Sequence, residues 1–390
     1  MRTRGTFTAF PQERVYFGRP AAEALVAEVE RVGARRVFML VSHTLDQTTD
    51  MVAKLRHALG ERFAGQASGV PPHTPRDAVL RVAAKARAAG TDLIVTFGGG
   101  SLTDAGKMLA LALEHDIDDM DGFDTFRTRI ESDGSRHTPE FRGPSVRQIT
   151  IPTTLSGGEF NRTAGCTDPR VPVKQLYVHP LMVPRAVILD PATTVHTPAW
   201  LWLSTGIRAV DHAVETLCSP EVDWRSEGPA LHALRLLSSG LPRVKDDPTD
   251  LEARLDCQTG VWQSMDHNQV GVPMGASHGI GHVLGGSAGV PHGHTSCVML
   301  PSVMRWNIGA NAERQALVAD AFGQSGKEAA DVLESFIAGL GLPTRLADVG
   351  VGRDQFRRIA EHAMHDRYIH TNPRPIRGPQ DVRAILELAA

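Results

Sequence analysis

The chain has 390 residues, of which 42% are hydrophobic and 22% charged, so it is long enough for two domains with separate cores. The net charge of −3 offers no basic surface for nucleic acid or an anionic membrane, and no apolar run approaches the ~20 residues that span a bilayer. The four cysteines form no CxxC pair, and the N-terminus lacks the apolar core of a signal peptide. We therefore expect a cytoplasmic protein whose partner is a small-molecule substrate.

Strand and helix patterns alternate through the first half of the chain. The predicted strands are residues 36–41, 92–97, 147–151 and 186–189, and the predicted helices are residues 21–32, 76–89 and 103–111. This alternation predicts a parallel sheet covered by helices on both faces. Residues 117–144 interrupt the pattern with acidic residues, glycine and proline, which predicts an exposed loop or a small excursion.

The second half of the chain is rich in alanine, leucine and arginine at helical spacing, with glycine and proline between the segments. The predicted helices are residues 230–241, 250–265, 311–321, 329–339, 355–364 and 380–388. We therefore predict two domains. An α/β domain with a Rossmann-like parallel sheet covers residues 1–190, and an all-helical domain covers residues 191–390.

Two glycine-rich loops follow predicted strands. Residues 98–101 (GGGS) lead into a helix, so their backbone N–H groups and the helix N-terminus favour a pyrophosphate. On the first turns of that helix, Asp104 and Lys107 either serve the site or form an exposed ion pair. Residues 151–159 (IPTTLSGGE) follow another strand with two hydroxyls and two glycines. Two such loops at the carboxyl ends of strands in one sheet predict a dinucleotide site.

Residues 275–293 (GASHGIGHVLGGSAGVPHG) carry three histidines and point most directly to a reaction site. His278 and His282 are four residues apart and share one face of a predicted helix, and His292 follows a glycine-rich stretch. Imidazole binds metals and exchanges protons near neutral pH, so the three histidines indicate a metal site, a proton-transfer site or both. A solvated helix face that is rich in histidine is the alternative.

The motifs, in this order, resemble the iron-type alcohol dehydrogenase superfamily. The matching segments are GGGSLTDAGK (98–107), IPTTLSGGE (151–159), AVILDP (186–191), GIRAVDHAVE (206–215) and the histidine segment 275–293. The resemblance implies an α/β domain that binds NAD or NADP, a helical catalytic domain of the metal-binding type, and a homodimer.

The resemblance also implies where a divalent metal, Fe or Zn, would bind. His212, His278 and His292 match the three histidine ligands of the family, and His282 matches a further histidine that is catalytic or contacts the cofactor. The fourth family ligand is an Asp four residues before the first histidine, where this chain has Arg208. A guanidinium has no lone pair for a metal and repels it, so we predict that metal is bound weakly or not at all.

Two other interpretations concern this helix. Asp211 replaces the missing ligand only if the helix is distorted, because adjacent helix positions point about 100° apart. Arg208 alternatively forms a salt bridge to Asp211 or Glu215 at the helix surface.

One branch of the superfamily, the maleylacetate reductases, also lacks the Asp ligand and is regarded as metal-independent. The chain resembles that branch in its TTLSGGE loop and in residues 73–75 (HTP), 282–286 (HVLGG) and 372–376 (NPRPI). It departs from the branch in Asp104, in the length of residues 117–144 and in having Arg208 at the ligand position.

We therefore predict an NAD(P)H-dependent oxidoreductase that reduces a carbonyl or enoyl-oxo acid without metal, as in aromatic catabolism. Arg208, His278 and His282 are the predicted catalytic residues, and with His212 and His292 they form a cationic pocket for an acidic substrate. The predicted cofactor-binding residues are Gly98, Gly99, Gly100, Ser101, Asp104, Thr153, Thr154, Ser42 and Lys174. Ser42 and its neighbours stand where NAD-selective members carry an acidic residue, so NADP is allowed.

Three other functions stay open at this point. The first is an Fe- or Zn-dependent primary alcohol dehydrogenase. The second is a lyase of the dehydroquinate synthase type, and the third is a cofactor-binding protein without activity. The absence of an evident acidic ligand disfavours the lyase, and the two glycine loops and four histidines disfavour the inactive protein.

Overall fold

The computed structural model describes residues 7–130 and 136–390. It divides the chain into two compact units, which meet in sequence between His196 and Thr197 rather than at the predicted residue 190. Between these positions a short 3₁₀ turn, Pro191–Thr194, continues directly from the last strand, and Asp190 accepts a hydrogen bond from the Ala192 N–H at its start.

The first unit, Ala9–His196, contains every strand of the described residues and five of the α-helices. The strands are β1 (Arg14–Phe17), β2 (Val37–Val41), β3 (Phe63–Ser68), β4 (Leu93–Gly98), β5 (Arg129–Ile130), β6 (Arg136–His137), β7 (Arg147–Pro152), β8 (Thr163–Asp168), β9 (Val171–Val178) and β10 (Ala186–Leu189). The helices are α1 (Ala21–Val32), α2 (His43–Thr48), α3 (Met51–Leu59), α4 (Arg76–Ala88) and α5 (Gly100–Glu114).

Six strands form one parallel sheet in the order β1-β10-β7-β4-β2-β3, which confirms the predicted fold class. Strands β2, β4 and β10 are buried along their whole length, because apolar side chains pack on each face of the sheet against helices. All four predicted strands are present. The sequence analysis missed the edge strands β1 and β3, since β3 (FAGQAS) consists mainly of small and polar residues.

Two antiparallel pairs, β5–β6 and β8–β9, lie outside this sheet. The first belongs to the interruption at residues 117–144, whose described part, residues 117–130 and 136–144, forms a small excursion with a 3₁₀ turn at Asp121–Thr125. The buried guanidinium of Arg76, at the start of α4, holds this excursion. It donates hydrogen bonds to Met120 O (2.6 Å), an Asp124 carboxylate oxygen (2.7 Å) and Tyr177 Oη (2.8 Å).

The second unit consists of Thr197–Ala390 together with the described N-terminal residues 7 and 8, and its regular elements are helices. Its helices are α6 (Ala199–Cys218), α7 (Trp224–Asp246), α8 (Leu251–Ser264), α9 (His267–Val270), α10 (Ala276–Ala288), α11 (His292–Ala321), α12 (Ala329–Gly339), α13 (Phe356–Ala363) and α14 (Pro379–Leu388). Helix α6 lies at the centre, in contact with α7, α8, α10 and α11. Helix α11 is broken at Asn311, so the predicted helix 311–321 is its second half. None of the helices described here is long and apolar enough to cross a membrane.

Candidate active site

The first glycine loop forms a tight turn between β4 and α5. Gly98 ends β4 with φ 154°, and a Cβ there would lie 2.4 Å from Leu102 Cδ1. At Gly100, where α5 begins, a Cβ would lie 2.8 Å from Ser156 Oγ of the second loop. No side chain caps the N-terminus of α5, so its first N–H groups face no competing side-chain acceptor. This turn fits a pyrophosphate that approaches the backbone closely.

Lys107 connects the two glycine loops from inside the protein. Its ammonium group donates to Gly158 O (2.7 Å) and Thr163 O (2.8 Å), and its side chain is completely buried. The alternative of an Asp104–Lys107 ion pair is confirmed in its partners, which are 3.9 Å apart, but wrong in its exposure, since the Lys107 side chain is buried. Burial lowers the pKa of Lys107 to about 8. Lys107 thus positions the second loop against α5, a role that the sequence analysis did not assign.

Asp104 and Lys174 lie together beside the β8–β9 hairpin. Asp104 accepts a hydrogen bond from the Gly165 N–H (3.2 Å), and its carboxylate is 3.5 Å from Lys174 Nζ. The Lys174 side chain is half exposed, so its ammonium group is open to a ligand. Its predicted contact with a cofactor stays a prediction.

The other predicted cofactor residues gather at the carboxyl ends of β2, β4 and β7. The Thr153 N–H donates to Gly98 O (3.0 Å), which joins the two glycine loops directly. The hydroxyls of Thr154 and Ser156 are 2.7 Å apart. Ser42 follows β2, and its Cβ lies 3.3 Å from the position of a Cβ at Gly98. The arrangement fits a dinucleotide along this edge of the sheet.

The helical unit brings the four predicted histidines into one series of ring contacts. The ring centres of His212 and His278 are 4.7 Å apart, and those of His278 and His282 are 6.4 Å apart. His282 and His292 stack in parallel at 6.2 Å. The series runs from buried rings, His212 and His278, to His282 and His292, which are exposed.

Arg208 lies inside the unit, at the position where the family resemblance implies an Asp ligand. Its side chain is 4% exposed, and Nη1 donates to Ser296 Oγ (3.0 Å) and lies 3.7 Å from Asp211 Oδ2. The alternative of a surface salt bridge is therefore wrong in its location, since both partners are buried among α6, α10 and α11.

Asp211 faces the same group of side chains without any distortion of α6, contrary to the prediction. Its Oδ2 accepts hydrogen bonds from Ser277 Oγ (2.8 Å) and Ser296 Oγ (2.6 Å) and lies 3.5 Å from His278 Nδ1. Because other helices pack around α6, adjacent positions on it both reach buried partners. Burial raises the pKa of Asp211 to about 6.

Glu215, which the sequence analysis did not choose, joins α6 to the N-terminus of α10. Its carboxylate accepts hydrogen bonds from the backbone N–H groups of Gly275 and Ser277, each at 2.8 Å, and Oε2 lies 2.8 Å from His278 Nδ1. Burial, and then the charge of Asp211, raise the pKa of Glu215 to about 8. A signal was present in the sequence, because positions 208, 211, 212 and 215 share one face of a helix.

Burial affects the charge of the histidines in the buried group. Burial lowers the pKa of His212 and of His278 well below the usual value, and the charge of Arg208 lowers both further. Both shifts favour the neutral ring at pH 7, and the contribution of these two histidines to a cationic pocket stays a prediction. Within this group, the fixed positive charge is that of Arg208.

Four buried polar atoms of this group have no hydrogen-bond partner among the residues that the structure describes. They are Arg208 Nε, Asp211 Oδ1, His212 Nδ1 and His278 Nε2. Because unpaired buried polar groups cost stability, such a set marks a place for a polar ligand or water.

The donor atoms do not fit the divalent metal of the family. Within residues 7–130 and 136–390, the one group of three ligand atoms within 4.8 Å of one another belongs to Asp211, Glu215 and His278. The predicted set of His212, His278 and His292 is not gathered in this way. In this group Asp211 Oδ2, both carboxylate oxygens of Glu215 and His278 Nδ1 are already hydrogen-bonded. The Arg208 guanidinium lies 3.7 Å from Asp211 Oδ2. A dication in that position would face a permanent positive charge.

Comparison with known proteins identifies the family. The profile of "Iron-containing alcohol dehydrogenase" matches residues 11–191, and that of "Fe-containing alcohol dehydrogenase family, C-terminal" matches residues 202–390. The chain belongs to the iron-containing alcohol dehydrogenase family. The protein is therefore a dehydrogenase or reductase, as the sequence predicted.

Its relatives place it near the maleylacetate reductases of that family. It is 32% identical to the dehydrogenase FUM7 of Gibberella moniliformis in an alignment 400 positions long that covers 92% of each chain. It is 31% identical to a maleylacetate reductase of Rhizobium sp., over 96% of this chain and 95% of the relative. The crystal structure of a maleylacetate reductase from Agrobacterium tumefaciens matches 100% of this chain and 98% of its own, with TM-score 0.83 and 30% identity.

Proposed function

We propose that this oxidoreductase uses NADH or NADPH to reduce a carbonyl group of a small oxo acid, without a metal. The observation that carries the proposal is the guanidinium of Arg208. It is buried at the metal-ligand position of the family and fixed by Ser296 and Asp211. The similarity to maleylacetate reductases supports an oxo acid as the substrate class.

The α/β unit binds the dinucleotide in this proposal. The backbone N–H groups at the start of α5 hold the pyrophosphate, and Lys107 keeps the second glycine loop in place against α5. When bound, the reduced nicotinamide supplies a hydride to the carbonyl carbon. Ser42, which cannot repel a 2′-phosphate, allows NADPH as well as NADH.

The helical unit polarises the carbonyl and supplies the proton. The Arg208 guanidinium stabilises negative charge as it develops on the carbonyl oxygen. The alkoxide then takes one proton from an imidazole, at His278 or His282, and the product is an alcohol. At His278, Nε2 gives up its proton while Nδ1 takes one from the carboxyl group of Glu215, and a proton from solvent then restores that carboxyl group. In the reverse direction the same imidazole accepts the proton of the alcohol. An acidic substrate is favoured because the guanidinium of Arg208 keeps its positive charge at pH 7 and can pair with a carboxylate of the substrate.

Steady-state assays of the purified protein test this function. We expect oxidation of NADH or NADPH with maleylacetate or with a member of a panel of 2-oxo acids, and much slower oxidation with uncharged aldehydes. Metal analysis and incubation with a chelator accompany the assays. A stoichiometric Fe or Zn, with activity lost on chelation and restored by the metal, would instead establish a metal-dependent alcohol dehydrogenase.

A further inference from the structure

Glu215 contacts both a helix end and a ring of the buried histidine group. Its Oε1 accepts from the Ser277 N–H, and its Oε2 is shared by the Gly275 N–H and His278 Nδ1. A Cβ at Gly275 would lie 3.0 Å from Oε1, so only glycine lets the carboxylate come this close. Because its two oxygens contact three groups, the carboxylate has one orientation. Two of these groups are backbone N–H groups, so the hydrogen bond to His278 comes from a carboxylate that the backbone itself holds in place.

The imidazole of His278 has little freedom to turn within this enclosure. The ring lies between those of His212, at 4.7 Å, and Tyr368, at 6.2 Å. Two carboxylates, those of Glu215 and Asp211, lie on the Nδ1 side, at 2.8 and 3.5 Å. On the other side, Nε2 is buried without a partner among the described residues. The ring therefore presents one nitrogen to the protein and keeps the other for a ligand.

We propose that Glu215 is a positioning residue, which holds His278 through Nδ1 so that Nε2 is the atom that exchanges the proton with the substrate oxygen. The inference rests on the proposed function, since the substrate oxygen is that of the carbonyl group. It also decides between the two predicted histidines in favour of His278. Orientation of an imidazole by a carboxylate at its other nitrogen is a recurring device in metal sites and catalytic triads.

A merely structural role is the competing explanation, because Glu215 also caps α10. The chain offers a matched control for it. Asn372 Oδ1 accepts a hydrogen bond from the Ala276 N–H (3.2 Å) at the same helix end, and Asn372 is joined to Asn307 by two further hydrogen bonds. Asn372 is as buried as Glu215, and no hydrogen bond connects it to His278 among the described residues. Loss of Asn372 therefore weakens the cap and leaves the imidazole contact intact.

The test compares the variants Glu215→Gln and Asn372→Ala by steady-state kinetics with maleylacetate and NADH, and by thermal unfolding. An amide accepts at one oxygen only, so Glu215→Gln cannot keep all three contacts. We expect kcat to fall about 10²-fold in Glu215→Gln with KM changed less than threefold, and kcat to change less than threefold in Asn372→Ala. Comparable lowering of Tm in both variants shows that the cap is weakened equally. If kcat falls in both variants in step with the lowering of Tm, the effect is one of stability and the proposal is overturned. An unchanged kcat in Glu215→Gln also overturns it.

A second measurement keeps the inference separate from the proposed function. Proton NMR of the wild type is expected to show a strongly downfield proton in the Glu215–His278 hydrogen bond, which disappears in His278→Gln. The same signal is expected in Asn372→Ala and is expected to be lost or shifted upfield in Glu215→Gln. The two results are independent of each other. If no substrate of the panel is reduced, the proposed function fails. If this signal is absent in the wild type, Glu215 does not hold the ring.

Discussion

Two histidines of α10, one turn apart, each pair with a carboxylate from another segment of the chain, and the two pairs differ in their surroundings. His278 and Glu215 lie 2.8 Å apart with side chains 3% and 4% exposed. His282 and Asp366 lie at the same distance with side chains 39% and 19% exposed. The same two chemical groups are therefore compared in a dry and in a solvated setting. In the buried pair, loss of one partner leaves the other without water, whereas water replaces a lost partner in the exposed pair.

The difference also concerns what surrounds each pair. The buried pair lies near the fixed charge of Arg208 and shares Asp211 with it. The exposed pair contacts Tyr368, whose hydroxyl accepts a hydrogen bond from Arg367 at the surface. Electrostatic stabilisation of a reacting oxygen is stronger where water is excluded, so the comparison favours the buried pair as the place of the proposed chemistry.

Removal of the arginine beside each pair is expected to give the largest difference. In Arg208→Met, kcat/KM for maleylacetate falls about 10³-fold, because the developing negative charge loses its fixed cation. In Arg367→Met, the matched change beside the exposed pair, kcat/KM changes less than threefold. Steady-state kinetics of both variants measure this. Equal losses in the two variants would show that neither burial nor the position of Arg208 matters.

The next largest difference is expected in the free energy of unfolding after the carboxylate of each pair is replaced by an amide. Glu215→Gln leaves buried donors without acceptors, so we expect the free energy of unfolding to fall by about 3 kcal/mol. Asp366→Asn removes a charge that water solvates, so the fall is expected to stay below about 1 kcal/mol. Urea unfolding of both variants at pH 7, with unchanged m-values, is the measurement. A larger loss in Asp366→Asn would mean that the exposed pair carries the structure of this region.

The buried pair and the neighbouring His212 contribute to the pH dependence of stability in two opposite directions. The lowered pKa of His278 and of His212 means that stability is lost as pH falls below 6.5, since the unfolded chain takes up protons there. The pKa of Glu215, raised to about 8, acts in the opposite direction, because its contribution is lost as pH rises from 4.5 to about 8. The two effects oppose each other between pH 4.5 and 6.5.

Glu215→Gln removes the contribution of the raised pKa of Glu215 and leaves the opposing contribution of the two histidines. We expect the free energy of unfolding of that variant to fall more steeply than that of the wild type from pH 6.5 to 5, by about 1.4 kcal/mol per pH unit. Urea unfolding at several pH values measures the slopes. Asp366→Asn serves as the control, with a slope like that of the wild type. Parallel slopes for Glu215→Gln and the wild type would contradict the raised pKa.

The two units differ in how far the sequence alone predicted them. Helix α1 and strand β10 have the predicted bounds, because amphipathic and apolar patterns repeat with the period of the element. The shared helix face with Arg208 indicated Glu215 only as a salt-bridge partner. Its observed partners are backbone N–H groups about 60 residues later, and the helical spacing does not predict them. The prediction for Asp211 considered only the direction in which its side chain leaves the helix. Because other helices enclose α6 on several sides, a side chain that leaves in that direction also meets buried partners.

The smallest expected effect decides between the two histidines that the sequence analysis proposed as catalytic. The exposed pair is solvated, and such pairs contribute about 0–1 kcal/mol, so Asp366→Asn is expected to lower kcat less than about fivefold. The measurement is kcat of Asp366→Asn and of Glu215→Gln, determined by steady-state kinetics under the same conditions. A loss in Asp366→Asn as large as that in Glu215→Gln would transfer the proton step to His282. The comparison on α10 would then mean that access to solvent, rather than exclusion of water, selects the histidine that reacts.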